Sequence, residues 1–409
     1  MQYMNSNFHD STAARSNRAF RIIFALILPI TALWYSVRNY RSADAQWFFI
    51  FGLSFLGFTI GLEGDLEVYD QMFYEMQEVS WGELYENIIS LKQGDFYVLV
   101  IAKITDIFAD SSDLYFAVLI SIFAYFYSSI MRCFILLLPK KKSSLLLSVF
   151  VAFALYFTIR SFISIRFYTA SLVFIYGAIK YLLEKKRGYL LFCLITPAFH
   201  LAYSVSLPFV GLFYLLKDKF KTAFVIMVLS FFVGQSTVLE LMEDTSKQYS
   251  DTVVDNKVNA YASEGGMERL NKRYASADYN FKVKMLNAAK TFSDYFISIG
   301  LLLIMYYNKQ LLKDQFVKGL ATLIFLCWAL SNVMMNVSNG NRYAILYLFL
   351  GMGLFLVLYV KNYINRPLLT YIKIGTPVVI LYNIMAIYAA NPLFTINFFI
   401  SNYIVELFL

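Results

Sequence analysis

Arg166 stands within SFISIRFYTASLVF (161–174) and His200 within ITPAFHLAYSVSLP (195–208), two stretches with no other charged side chain. A guanidinium that keeps its proton offers a planar fork of donors to phosphate oxygens, while an imidazole titrates near neutrality. Together they suit anion recognition beside proton exchange. A third stretch, GLEGDLEVYDQMFYEM (61–76), brings Asp65, Glu67, Tyr69 and Asp70 together. A carboxylate there can accept a proton from an attacking hydroxyl, and a tyrosine offers a flat surface to a sugar ring. SNGNRYAILY (338–347) sets Arg342 after a glycine turn flanked by Asn339 and Asn341, at the start of an apolar run as Arg166 is. MERLNKRYASADYNFKVK (267–284) holds Arg269, Lys272 and Arg273 within one or two helical turns, cations able to receive a pyrophosphate leaving group if the segment folds over the membrane. Each motif also has a plainer reading: a snorkelling interfacial arginine, a packed histidine, a solvated acidic loop, a solvated charged face. Arg160 shares either role with Arg166.

The chain that must place these residues has 409 of them, 59% hydrophobic and 15% charged, against roughly a quarter charged in an ordinary soluble domain. Several nearly uncharged stretches reach about 18 residues, enough to cross a hydrocarbon core of about 30 Å as a helix. The composition therefore predicts an all-α polytopic integral membrane protein, one transmembrane domain over 1–409, with about 11–14 membrane helices. Expected spans are 20–37, 46–62, 113–138, 143–159, 165–184, 221–241, 291–308, 318–337, 343–361, 368–388 and 393–409. The short segments 188–200 and 202–216, carrying Pro197 and Pro208, read as short helices or a re-entrant hairpin meeting at His200. A membrane barrel would alternate in polarity, and these runs do not.

The basic clusters at 140–142, 185–187, 217–221, 309–318 and 361–373 alternate with less basic connections and belong in the cytoplasm. The opposite face then receives an outer region 63–112 with an in-plane helix at 96–110, the turn at His200, a long periplasmic loop at 243–290, and Arg342. The N-terminus falls on that face too, despite Arg15, Arg18 and Arg21, unless the first residues lie flat as an interfacial helix. The run from Phe20 lacks a convincing cleavage site, which argues against a removed signal peptide. The net charge of +8 comes from these clusters and does not point to nucleic acid. Cys133, Cys193 and Cys327 lie in apolar segments without metal-like spacing, and no metal site is expected.

The order of these features resembles the EpsG-like branch of the Wzy polysaccharide (O-antigen) polymerases. The likeness rests on Asp65 and Tyr69 after an early span, Ile165–Arg166 opening a helix, the basic turn Lys185–Arg187, Phe199–His200 before Ser204 and Pro208, and a late arginine, Arg342. It covers residues 60–350, with short motifs. Phe167 departs from the glutamine that often follows the motif arginine. The resemblance implies a fold like that of polyprenyl-linked (GT-C-type) glycosyltransferases, in a bacterial inner membrane, working at the periplasmic face. Its substrates would be undecaprenyl-diphosphate-linked oligosaccharides drawn from the membrane lipid. A chain-length regulator protein is a candidate partner, and no metal, nucleotide sugar or nucleic acid is expected. A hydroxyl of one unit would attack the anomeric carbon of the other and release undecaprenyl diphosphate. Arg166, Arg342 and Arg273 suit the departing diphosphate; Asp65 or His200 suits the proton, with His200 preferred because the resemblance places it beside Arg166. Tyr69, Arg160, Arg269 and Asn339 would complete substrate binding.

Two other classes compete. A lipid-linked oligosaccharide flippase would spread its cations through the depth of the bundle, and commonly shows an internal repeat that is not evident here. A membrane O-acyltransferase would want a second polar partner for its histidine.

Overall fold

The computed structural model describes residues 22–23, 25–62, 64–90, 94–139, 143–157, 159–233, 281–307, 314–335, 337, 340–389 and 401. Every regular element among them is helical. Among the described residues six stretches are long and apolar enough to cross a membrane: Ser112–Ile135, Ser161–Glu184, Lys284–Tyr306, Gln315–Met334, Gly340–Val360 and Arg366–Tyr388. This is the all-α, multi-pass architecture expected from composition, with six such stretches among the described residues where about 11–14 membrane helices were expected. All of the expected span 393–409 but residue 401, and the end of 221–241, lie outside the described residues, as do Arg269, Arg273 and Asn339.

In chain order the helices are α1 (Pro29–Arg38), α2 (Ala43–Thr59), α3 (Asp65–Glu78), α4 (Trp81–Ile89), α5 (Phe96–Asp106), α6 (Ser112–Ile135) and α7 (Ser144–Ala154). A 3-10 turn, Ile159–Ser164, leads to α8 (Ile165–Glu184), α9 (Leu190–Leu194) and α10 (Thr196–Phe199). Next come α11 (Leu207–Leu216), α12 (Phe220–Ser230), α13 (Phe281–Tyr307), α14 (Gln315–Met334), α15 (Ala344–Val360) and α16 (Arg366–Ala389).

Local chemistry starts several of these helices. Ser42, Ser80 and Ser143 cap α2, α4 and α7 by accepting backbone N–H groups three residues on, at 3.1 to 3.2 Å. Ser80 with Glu83 has the spacing of a capping box. Asp314 caps α14 by accepting from the N–H groups of Phe316 and Val317 at 2.9 and 3.1 Å. Close helix approach is set by glycine: a Cβ on Gly57 of α2 would stand 2.2 Å from the backbone nitrogen of Ala117 on α6.

Three expectations change. The acidic stretch read as an outer loop is helical, forming α3 and α4. Asp65 and Glu67 in the first turn of α3 complement its dipole, and Leu66, Tyr69, Phe73 and Met76 give it a buried face. The 143–159 segment supplies only the eleven residues of α7. Its end is fixed by the Tyr127 hydroxyl, which donates to the Ala154 carbonyl, before the chain turns through Ile159–Ser164. The polar stretch assigned to the 243–290 loop is already helical from Phe281. Two local readings match: α5 is a helix within 96–110, and 188–216 forms short helices broken at His200, whose backbone is extended (φ −153°, ψ 116°).

Contacts between helix ends sort the connections into two groups. At one end Arg41 donates to the carbonyls of Leu138 and Pro139 at 2.8 and 2.6 Å, Ser143 and Tyr359 hydroxyls meet at 2.7 Å, and Lys361 pairs with Asp314. These residues adjoin the basic turns. The other end carries Asp65, the start of α8, His200 and the start of α15.

Candidate active site

At that second end Arg166 opens α8 and is held on two sides. Its Nε donates to the Tyr69 hydroxyl at 2.7 Å, and Nη1 to Asp95 Oδ2 at 2.8 Å. The guanidinium also lies over the Tyr69 ring, 4.6 Å from its centroid. Nη2 has no hydrogen bond among the described residues, and the side chain stays 22% exposed, so donors remain for an incoming anion. The first N–H groups of α8 and its dipole add to the attraction. Burial pushes the Tyr69 phenol up to about 12 against the opposing pull of Arg166, so it stays protonated at neutral pH.

Asp95 is the residue that the sequence did not single out. Its side chain is 2% exposed, and its second oxygen, Oδ1, accepts from the Leu201 N–H at 2.8 Å. One carboxylate therefore ties the start of α5, the start of α8 and the residue after His200. Asp95 itself is in the left-handed region, φ 60°, which aspartate tolerates better than most residues. The available signal was an acid directly before an apolar helix, where a charge needs a partner.

Asp65 Oδ2 accepts from the Ser164 hydroxyl at 3.0 Å, just before Arg166. Asp65 is half-buried, and its Oδ1 has no hydrogen bond among the described residues. His200 is also half-buried; its Nδ1 accepts from the Ala202 N–H at 3.3 Å. A neutral ring bonded in this way carries its proton on Nε2. Asp70 accepts from Ser112 and anchors the start of α6 instead of joining the site.

Phe167 explains how three distant motifs meet. Its ring stands edge-on to His200 at 5.4 Å and to Tyr343 at 5.2 Å, and tilts against Tyr203 at 5.2 Å. The Tyr343 hydroxyl donates to the Ala202 carbonyl. Arg166, His200 and Arg342 are thus each in or next to one aromatic cluster. Arg342 is half-buried and has no ion pair or hydrogen bond among the described residues. Arg160 lies on the 3-10 turn between Tyr156 and Asp65's partner Ser164. Tyr97, Tyr115 and Thr169 bury hydroxyls that lack hydrogen-bond partners among the described residues.

These features define a multi-pass, all-helical membrane protein with a fixed cation at one end of its bundle. The chain belongs to the EpsG family, which matches residues 44–405, and is a polysaccharide polymerase-like membrane protein of the Wzy type. No curated protein and no solved structure matches it.

Proposed function

We propose that this protein joins undecaprenyl-diphosphate-linked oligosaccharide units into a polysaccharide at the periplasmic face of a bacterial inner membrane. The observation that carries this reading is Arg166, oriented by Tyr69 and Asp95 with donors to spare. Such a cation suits the diphosphate of the donor. Arg342, without a partner of its own among the described residues, is the second cation for the same charge.

In the step proposed, an acceptor hydroxyl oxygen forms a bond to the donor's anomeric carbon as the bond from that carbon to the diphosphate oxygen breaks. The bonding pair leaves on the diphosphate, where the cations stabilise it. We assign the hydroxyl proton to Asp65, whose Oδ1 has room to accept it, and give His200 the role of hydrogen-bond donor through Nε2. This reverses the preference drawn from the resemblance. Asp95 is unsuited to the proton, since both of its oxygens are engaged.

The test is the material that accumulates in cells. Arg166→Ala and Arg342→Ala should leave single lipid-linked units on the outer face and no long chains, with the protein still inserted. Normal ladders in both variants would remove the assignment; units trapped on the inner face would indicate a flippase instead.

A further inference from the structure

A second polar cluster lies across the 3-10 turn from Arg166. The turn packs against α3 on one side and α16 on the other, and Tyr156 stands just before it. Asp294 lies within the span Lys284–Tyr306, about 15 Å along the helix from Lys284. Its carboxylate accepts from Lys290 at 2.7 Å and from the Tyr156 hydroxyl at 3.4 Å. One turn further along α13, Ser298 and Tyr347 hydroxyls are 3.3 Å apart. From α16, Asn383 is wholly buried, donates Nδ2 to the Ala152 carbonyl at 3.2 Å, and leaves Oδ1 without a partner.

A carboxylate at this depth is expensive unless it is paired or used. Lys290 and Asp294 would satisfy each other as a simple ion pair within one helix. A self-sufficient pair needs neither a tyrosine hydroxyl delivered from another segment at a long 3.4 Å nor an amide oxygen left without a partner on the adjoining α16. A carboxylate, an ammonium, a phenol and a spare carbonyl are instead the set that pairs with several hydroxyls of one sugar, through charge-assisted bonds that are strong away from water.

We infer that Lys290, Asp294, Tyr156 and Asn383 form a carbohydrate subsite that takes the hydroxyl groups of the acceptor oligosaccharide. This rests on the polymerase reading for its direction: the diphosphate-bearing donor is held at Arg166 and the acceptor approaches from the other flank of the turn. The two polar clusters lie on the two flanks of the Ile159–Ser164 turn, which contacts α3, the helix of Tyr69, and α16, the helix of Asn383.

The test separates the two substrates. An octyl glycoside of the cell's own oligosaccharide unit lacks the diphosphate and can only accept, whereas the natural lipid-linked unit can donate. With purified full-length protein in liposomes, Asp294→Asn should raise the apparent KM for the octyl glycoside at least tenfold and change that for the lipid-linked donor by less than twofold. Tyr156→Phe should act in the same direction and less strongly. Lys290→Met removes the ammonium but keeps the carboxylate, and should raise the glycoside KM by a clearly smaller factor than Asp294→Asn does. Binding is read independently as the glycoside-induced rise in unfolding temperature, which Asp294→Asn should abolish. Glycoside binding lost in Asp294→Asn, with no transfer by the wild type, would sink the polymerase reading and leave the subsite standing. Unchanged glycoside binding and KM in Asp294→Asn would overturn the subsite alone. So would equal losses in Asp294→Asn and Lys290→Met accompanied by equal losses of thermal stability, which mark an ion pair that only ties the helix.

Discussion

Asp95 Oδ2 meets Arg166 Nη1 at 2.8 Å while the same carboxylate accepts the Leu201 N–H at 2.8 Å. The arginine's orientation and the position of the His200 segment are therefore not independent. Asp95→Asn keeps an acceptor for Leu201 but removes the charge opposite Arg166. It should insert normally, lose about 1–2 kcal/mol of stability and make few long chains. Asp95→Ala also orphans the Leu201 N–H and leaves Arg166 without its buried partner, for a loss of about 3 kcal/mol or more. Unfolding in detergent measures the first quantity and polysaccharide ladders the second. Equal stability of the two variants would mean that the Leu201 bond contributes nothing.

Tyr69 does two things for Arg166, and they separate by mutation. Tyr69→Phe keeps the ring 4.6 Å from the guanidinium and removes the hydroxyl that Nε uses at 2.7 Å. The expected loss is about 1–1.5 kcal/mol, or roughly tenfold in polymerisation rate, while Tyr69→Ala loses more. The phenol is pushed up to about 12 by burial. Its neutral form is therefore favoured by folding, and that contribution is intact below pH ~10 and lost as pH rises towards 12. Between pH 6 and 9 the rate profile of Tyr69→Phe should run parallel to the wild type. A profile that changes shape in that window would mean that Tyr69 titrates there.

Lys103 shows how the acidic region became structure. It is buried and donates to the carbonyls of Met76 and Gln77 at 3.0 and 3.2 Å and to Asp106 at 3.0 Å. One ammonium thereby closes the end of α3 and pins α5 beside it. Lys103→Met should destabilise the protein by about 2–3 kcal/mol, because two carbonyls and a carboxylate lose their partner. Proteolysis within residues 65–106 should rise before the rest of the bundle is cut. Cleavage spread evenly over the chain would show that this unit does not open alone.

Much of this was legible in the sequence, and the reasons for the failures are physical. Long apolar runs such as those of α6, α14 and α15 have few alternatives, so composition and length place them. The break at His200 was readable from Pro197, Pro208 and arms too short to span. Residues 65–89 were misread because polarity suggested a solvated loop, whereas Leu66, Tyr69, Phe73 and Met76 recur at helical spacing and are buried. Asp95 was missed because its importance depends on Arg166 and Leu201, 71 and 106 residues away. Nothing local announces such a pairing. Phe167, where the resemblance leads one to expect glutamine, carries the aromatic contacts through which the three motifs meet.

Arg342 owes its position to a glycine, and this separates its chemistry from its fold. At Gly340 an added Cβ would lie 1.6 Å from the Met334 carbonyl oxygen, a backbone atom that cannot swing aside. Gly340→Ala should therefore cost about 3 kcal/mol or more and shift the 3-10 turn that carries Arg342 and Tyr343. Gly211 in α11 is the internal control, since a Cβ there meets nothing within 4 Å. Gly211→Ala should be neutral or stabilising by about 0.5–1 kcal/mol, as expected for a glycine replaced within a helix. Thermal unfolding and ladder length together distinguish three outcomes: Gly340→Ala loses both, Arg342→Ala loses only the ladder, and Gly211→Ala loses neither. If Gly340→Ala kept full stability and normal chains, the tight turn would not be what sets Arg342 beside the aromatic cluster.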